Sequence, residues 1–319
     1  MNPKRIRLKD IAEAADVSVM AVSHVLNGSG QGRVSVSKEL ASHIRQIADE
    51  MHYLPNHAAR ALRGSSIRVI GTINTGAMHP VEQRALVGLQ EAAAEAGYHV
   101  MSTFSQSNHD DWADSIRAIL SHGVNALVAF CYESEKVRIG DKLCKQEGVP
   151  FIPIRLDGCE ISECEGGIQI DTKAGIRMAL EHLRVAGTKR IIIYYTNFQD
   201  HWEAILPEFE SDHIIAQKLD ADQFPSIQPD TGILAGSDWL AANLIRHTPD
   251  LTPGTDYNII GWGNASGCEY MNPKLSSIGL NLWEVMSTAV QNIVSQEKVN
   301  VAPITPLLLA RESSLKQSN

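Results

Sequence analysis

Apolar residues recur at helical spacing along residues 8–27, LKDIAEAADVSVMAVSHVLN, and again from 40 to 51, with a glycine-rich break between. Ile11, Ala14 and Ala15 fall on one face of a first short helix, and Val22, Val25 and Leu26 on one face of a second, so each stripe can bury against the other. Asp16-Val17 is the turn, and Ser18 stands where an N-cap belongs, its hydroxyl placed to accept a backbone N–H of the following turn. After Gly28-Ser29-Gly30-Gln31-Gly32, Ser35 is expected to cap a third helix in which Leu40, Ile44, Ile47 and Met51 keep the period. Residues 53–64, YLPNHAARALRG, then offer a proline stop, a turn or two rich in alanine and a glycine exit, too short to be helical unaided.

From Ile67 onward the period changes. Apolar strand runs at 68–73, 98–103, 124–129 and 150–154 alternate with helical stretches near 80–96, 109–122 and 134–147. Ala85, Leu86, Leu89, Ala92, Ala93 and Ala96 form one helix face. A second set places strands at 167–171, 190–195, 214–218, 232–235 and 257–261. A helix at 173–186 lies among them, and a last helix carries Val285, Met286, Ala289, Val290 and Ile293. Near-continuous apolar strands with long crossovers predict α/β lobes built on doubly wound parallel sheets, with a ligand crevice at the carboxyl ends of the strands.

The leading helix pair fits either a small structural hairpin or a helix-turn-helix that reads DNA. In the second case Val19, Met20, Ser23 and His24, at the start of the second helix, meet base edges in the major groove. The strings LKDIA, VSxxxVSxVLN, YxPNxxARxL and a closing ARES decide between them, because together they resemble the LacI (lactose-repressor) family of bacterial transcription regulators from residue 8 to residue 313. The resemblance implies a three-helix DNA-binding headpiece at 1–54, a hinge helix and linker at 55–66, and a core of two periplasmic-binding-protein-like lobes at 67–319 that binds a small-molecule effector and dimerises. It also implies that the hinge orders on operator DNA and that Leu62 enters the central base step. Such a wedge unstacks and kinks the duplex at a cost of about a few kcal/mol, recovered in added contacts. Ser18, Asn27, Asn56 and Ala59 match the remaining DNA-facing positions of these motifs.

Charge follows the same division. Residues 1–64 hold nine Lys or Arg against six Asp or Glu, whereas the remainder holds 19 against 31 and the whole chain is −9. The phosphate footprint is therefore N-terminal, with Lys4, Arg5, Arg7, Lys9, Arg60 and Arg63 as candidate contacts.

Several positions depart from the family pattern. Ala21 and His24 stand where Thr and Arg are usual, and His24 lacks the two-bond fork that arginine presents to guanine. Apolar Val19 and Met20 suit thymine methyl groups. In the core, residues 197–224 are short for the family, so the C-terminal lobe is expected to be reduced, and the arginine usual after the strand ending at Tyr195 has no counterpart in 197–202. Ala77-Met78-His79-Pro80 replaces an aromatic pair. Arg155, Asp238 and Trp262 are the candidate effector residues, and the Arg155 fork favours a carboxylate or phosphate unless it pairs with Asp157 or Asp171.

Other signals carry less. Residues 261–267, GWGNASG, lack dinucleotide-loop spacing, and Asn108-His109-Asp110-Asp111 reads as a helix start rather than metal ligands. No cofactor, metal or catalytic triad is expected. Cys131, Cys144, Cys159, Cys164 and Cys268 form no C-x-x-C pair, which fits a reducing cytoplasm, with a Cys159–Cys164 loop bridge as the alternative. No membrane-length apolar run occurs. The expectation is a cytoplasmic, homodimeric repressor, not an enzyme, that binds a palindromic operator in double-stranded DNA and responds to a sugar or an anionic sugar derivative. The alternative is a regulator whose core has become a dimerisation scaffold without effector response.

Overall fold

The computed structural model describes residues 6–27, 36–53, 68–75, 80–105, 109–131, 133–156, 167–220, 222–296 and 302–315. The chain divides into two compact units, Met1–Ile67 and Arg68–Asn319.

The first unit holds α1 (Leu8–Ala14), α2 (Val19–Asn27) and α3 (Lys38–Glu50). The Asp10 carboxylate accepts the Arg7 backbone N–H at 2.7 Å, setting an acid against the positive end of α1. Asp16 takes a left-handed φ of +52° at the turn, and Ser18 Oγ accepts the Ala21 N–H at 3.1 Å, as the cap reading expected. Ile11, Ala12, Ala15, Val22, Ile44 and Ala48 form the small core, with Val25 and Leu26 partly buried against it.

Two sequence expectations need correction here. Ala14 is exposed and Ala12 takes its place, because the inward stripe of α1 runs i, i+3, i+4, i+7 from Leu8. The cap of α3 is Ser37, whose Oγ accepts the Leu40 N–H at 3.2 Å. Ser35 itself lies outside the described residues, as do the glycine-rich connection at 28–32 and the hinge at 55–62.

The second unit carries two sheets. The first contains β1 (Val69–Thr75), β2 (His99–Ser105), β3 (Ala126–Phe130), β4 (Phe151–Arg155) and β5 (Ile168–Gln169). Its order is β2-β1-β3-β4-β5 and every pairing is parallel. The second contains β6 (Arg190–Tyr195), β7 (Ile214–Lys218), β8 (Thr231–Ala235), β9 (Asn258–Trp262), β10 (Ser276–Gly279) and β11 (Leu307–Leu309), in the order β11-β10-β9-β8-β6-β7. Only β11, at its edge, is antiparallel. Both sheets thus repeat one doubly wound order, with a switch point between β1 and β3 in the first and between β6 and β8 in the second.

Helices α4 (Pro80–Glu95), α5 (His109–Ser121), α6 (Ser134–Glu147), α7 (Thr172–Val185), α8 (Asp238–His247) and α9 (Leu282–Ser295) cover the sheets. On the inward face of α4, Ala85, Leu89, Ala92 and Ala93 are buried, with Leu86 and Ala96 half-buried, as the periodicity indicated. That helix packs on α9, and one apolar core runs through both sheets by way of this contact. Separate cores fill the α5/α6 side of the first sheet and the α8 side of the second.

The sequence patterns pass over α8, β10 and β11. Only Leu240, Ala241 and Leu244 supply an apolar inner stripe for α8, and β10 reads Ser-Ser-Ile-Gly. Its serines are buried because they are hydrogen-bonded: Ser276 Oγ donates to the Arg311 carbonyl at 3.0 Å and Ser277 Oγ to Asp238 Oδ1 at 2.5 Å. Cys131, Cys144 and Cys268 are buried and form no disulfide, whereas Cys159 and Cys164 lie outside the described residues. Among the described residues no helix is long and apolar enough to cross a membrane.

Candidate DNA-reading face and effector cavity

The Ser18 cap starts α2 so that its first residues project outward: Val19 is 43% and Met20 66% exposed. Ala21 and Val22 turn inward and are buried. Ser23 and His24 are half-buried, and His24 Nδ1 is buried without a hydrogen-bond partner. One further turn along, Asn27 closes the helix. The most prominent groups on α2 are therefore an isopropyl and a thioether, flanked on α1 by a solvated Lys9–Glu13 pair at 3.6 Å. Asn56, Ala59 and Leu62 lie outside the described residues, together with Lys4, Arg5, Arg60 and Arg63.

In the second unit a cavity of about 570 Å³ opens at the β6/β8 switch point. Thr196 follows β6 and Gln199 lies in the succeeding 3-10 turns. Ser237, Asp238, Trp239, Leu240 and Ala242 come from the start of α8. Trp262 ends β9, the 265–271 loop adds Ala265, Cys268 and Met271, and Val81 of α4 reaches in from the first sheet's side.

Local bonding holds this wall in place. Ser237 Oγ caps α8 by accepting the Leu240 N–H at 3.1 Å. Asp238, in the first turn, accepts from the Ala265 N–H at 2.6 Å and from Ser277 Oγ. Its carboxylate thereby ties α8, the loop after β9 and strand β10 together. Burial raises the Asp238 pKa, opposed by bonds from Ala265, Ser277 and Cys268 and by the Arg311 charge. Burial and the adjacent Asp238 carboxylate push the Cys268 thiol up to about 12, so it is present as a thiol. Gln199 Oε1 accepts from the Thr196 N–H at 3.1 Å and from its hydroxyl at 3.2 Å. Trp262 meets Trp202 edge to face at 4.9 Å.

The loop after β9 also joins the two sheets' sides. Arg84 of α4 donates to the carbonyls of Gly263, at 3.3 Å, and Asn264. At Gly263, φ is +112°, and a Cβ would come within 2.8 Å of Val81, so glycine permits both the turn and the approach. Arg311, from the ARES string, donates to Asn264 Oδ1 at 2.9 Å and to the Leu275 carbonyl at 2.8 Å.

The fold thus brings two of the three candidate effector residues, Asp238 and Trp262, onto one cavity. Arg155 is not brought onto it. It ends β4, 4% exposed and paired in register with Gln169, and it is not among the described residues lining the cavity. Asp238 lines the wall with both oxygens already accepting internal bonds, so it acts chiefly as a tie. Sequence reasoning missed Gln199, Ser237, Leu240, Ala242 and Met271. The available signal was Ser237, a good N-cap directly after a strand. At 109–111 a helix starts, as expected, and Asp111 accepts from Ser105 Oγ at 2.8 Å. Among the described residues no group of three or more His, Cys, Asp or Glu is placed to hold a metal ion.

Comparison with known proteins agrees with this architecture. Residues 7–56 match the family described as bacterial regulatory proteins, lacI family. A transcriptional repressor, PurR of Vibrio vulnificus (strain CMCP6), is 23% identical over 343 aligned positions covering 97% of this chain and 98% of that protein. The ribitol operon repressor of Klebsiella aerogenes is 31% identical over 156 positions, 49% of this chain and 56% of that one. Among solved structures, the lac repressor dimer bound to operator and the anti-inducer ONPF superposes with a TM-score of 0.80 at 20% identity, covering 98% of this chain and all of that one.

Proposed function

Because residues 7–56 match the lacI family of bacterial regulatory proteins and a PurR repressor aligns along nearly the whole chain, we propose that this is a LacI-family, sequence-specific DNA-binding regulator, a transcriptional repressor that binds a palindromic operator as a homodimer. The observation that carries this reading is α2, capped by Ser18 in a three-helix unit and presenting Val19 and Met20 outward from its first turn. In a helix-turn-helix that turn enters the major groove, and apolar tips there select thymine methyl groups. Ser18, Ser23, His24 and Asn27 complete the proposed base and phosphate contacts. At 55–62 a hinge adds Asn56 and Ala59, with Leu62 as the wedge at the operator centre.

The division of labour assigned is residues 1–54 to DNA, 55–66 to the hinge and 67–319 to effector binding and dimerisation, in the cytoplasm, with regulation and not catalysis as the role. The cavity at the β6/β8 switch point is the proposed effector site, with Trp262 and Asp238 in its wall. Relatives include a sucrose operon repressor and a regulator in complex with cellobiose, which supports a small-molecule effector here. Its volume favours this over a scaffold that has lost response. A ligand touching Val81 and the start of α8 together changes the relative energies of lobe arrangements, and operator affinity follows only as far as the two arrangements bind the ligand unequally.

Selection of double-stranded DNA from a random pool by the full-length chain tests the reading. The expected product is an inverted repeat, with an isolated half-site binding far more weakly and Leu62→Ala reducing the bend of the complex. Recovery of no common site, or undiminished affinity for one half-site, would overturn it.

A further inference from the structure

The chemistry of the cavity wall restricts what it can hold, and the restriction rests on the effector reading above. The lining is mostly apolar and includes Trp262, Trp239, Leu240, Met271 and Val81. The polar groups are few and partly engaged. Ser237 Oγ accepts from the Leu240 N–H, and both Asp238 oxygens accept from Ala265 and Ser277. Gln199 turns its Oε1 to Thr196, which leaves its N–H2 end as the donor available to a ligand.

Among the described residues no Lys, Arg or His lines the cavity. The two nearby guanidinium groups, Arg84 and Arg311, direct their N–H bonds to the loop after β9. A buried anion would thus lie beside the Asp238 carboxyl without a countercharge. A molecule bearing hydroxyls all round would have more of them than Gln199, the Ser237 O–H and the spare Asp238 lone pairs can meet, and would bury the rest unpaired, at a cost for each.

We infer that this cavity takes an uncharged ring compound, flat and largely apolar, that stacks on the tryptophan wall and offers one or two oxygen acceptors to the Gln199 amide. Free polyols, sugar acids and sugar phosphates are outside this class. The anionic ligand suggested by Arg155 in the sequence has no cationic partner among the described lining residues.

The test titrates the full-length chain with two sets of probes: benzamide, acetophenone and methyl benzoate, against glucose, ribitol, gluconate and glucose 6-phosphate. Tryptophan fluorescence and melting temperature report binding, and operator affinity reports response. Ala242→Trp fills the cavity from a half-exposed position on α8, and Met271→Trp serves if that variant fails to fold. The expected result is that at least one ring probe perturbs the fluorescence, raises the melting temperature and alters operator affinity, with binding at least about tenfold weaker in the filled variant. Binding only by the second set, abolished by Ala242→Trp, would overturn the ligand class and leave the effector site standing. Binding that survives in both filled variants, or none by either set, would overturn the class and the site together.

Discussion

One hydroxyl sets the angle at which α2 leaves its turn. Ser18 Oγ satisfies the Ala21 N–H, and without it that donor at the start of the reading helix has no side-chain acceptor. Ser18→Ala is expected to cost the headpiece about 1 kcal/mol. Hydrogen exchange of the α2 amides should quicken and operator affinity fall, while Ser18→Thr restores both. Unchanged exchange in the alanine variant would show that the cap carries no weight. At Asp238 the consequence is one of pH. Its folded pKa lies above the ordinary 3.8, so the folded chain keeps this proton where the unfolded chain has released it. Stability contributed by this group therefore falls as pH rises from about 4. Asp238→Asn loses an acceptor and also removes that slope. The variant's melting temperature, relative to the parent, should climb as pH rises above about 4. A difference that stays flat with pH would contradict the assignment.

Among the elements, those with the most one-sided sequences were the most legible. Strands Arg190–Tyr195 and Ile214–Lys218 appear with the bounds their apolar runs indicated, and α4, α5 and α6 begin and end within a residue of expectation. Helix α8 and strand β10 were not legible, because the polar residues at their ends bond to one another across 39 positions of sequence, and such pairing leaves no local period. Helix packing supplies a test at this scale. In α7, Gly175 lets the helix approach the cavity wall so closely that an added Cβ would lie 2.6 Å from Trp262 Cη2 and 3.1 Å from Pro306 Cγ. Gly175→Ala should raise helix propensity by about 1 kcal/mol and lose about 1–3 kcal/mol to overpacking, a net destabilisation visible in denaturant unfolding. The same variant should shift the Trp262 fluorescence. A net gain in stability would mean that the contact relaxes without cost.

For the whole molecule, symmetry is the property that DNA reading demands. A palindromic operator requires a two-fold partner, because each half-site is read by one copy of the same helix. Sedimentation of the full-length chain is expected to show a dimer; a tetramer, or a monomer at the concentrations that bind operator, would contradict it.

The sequence by itself determined the parts whose chemistry is local. Helix stripes, caps and turns in 8–51, and the alternation of apolar strands with amphipathic helices after 67, follow from contacts a few residues apart. Even there the caps were readable only to within two residues, as Ser37 in place of Ser35 shows, because several serines compete and packing selects among them. Tertiary structure alone decided which side chains share the cavity. Val81, Gln199, Asp238 and Trp262 meet because two doubly wound sheets bring the carboxyl ends of β6, β8 and β9 together beneath α4, and no sequence spacing encodes that meeting. Arg155, an equally good candidate at a strand end, is not among the described residues that line this cavity.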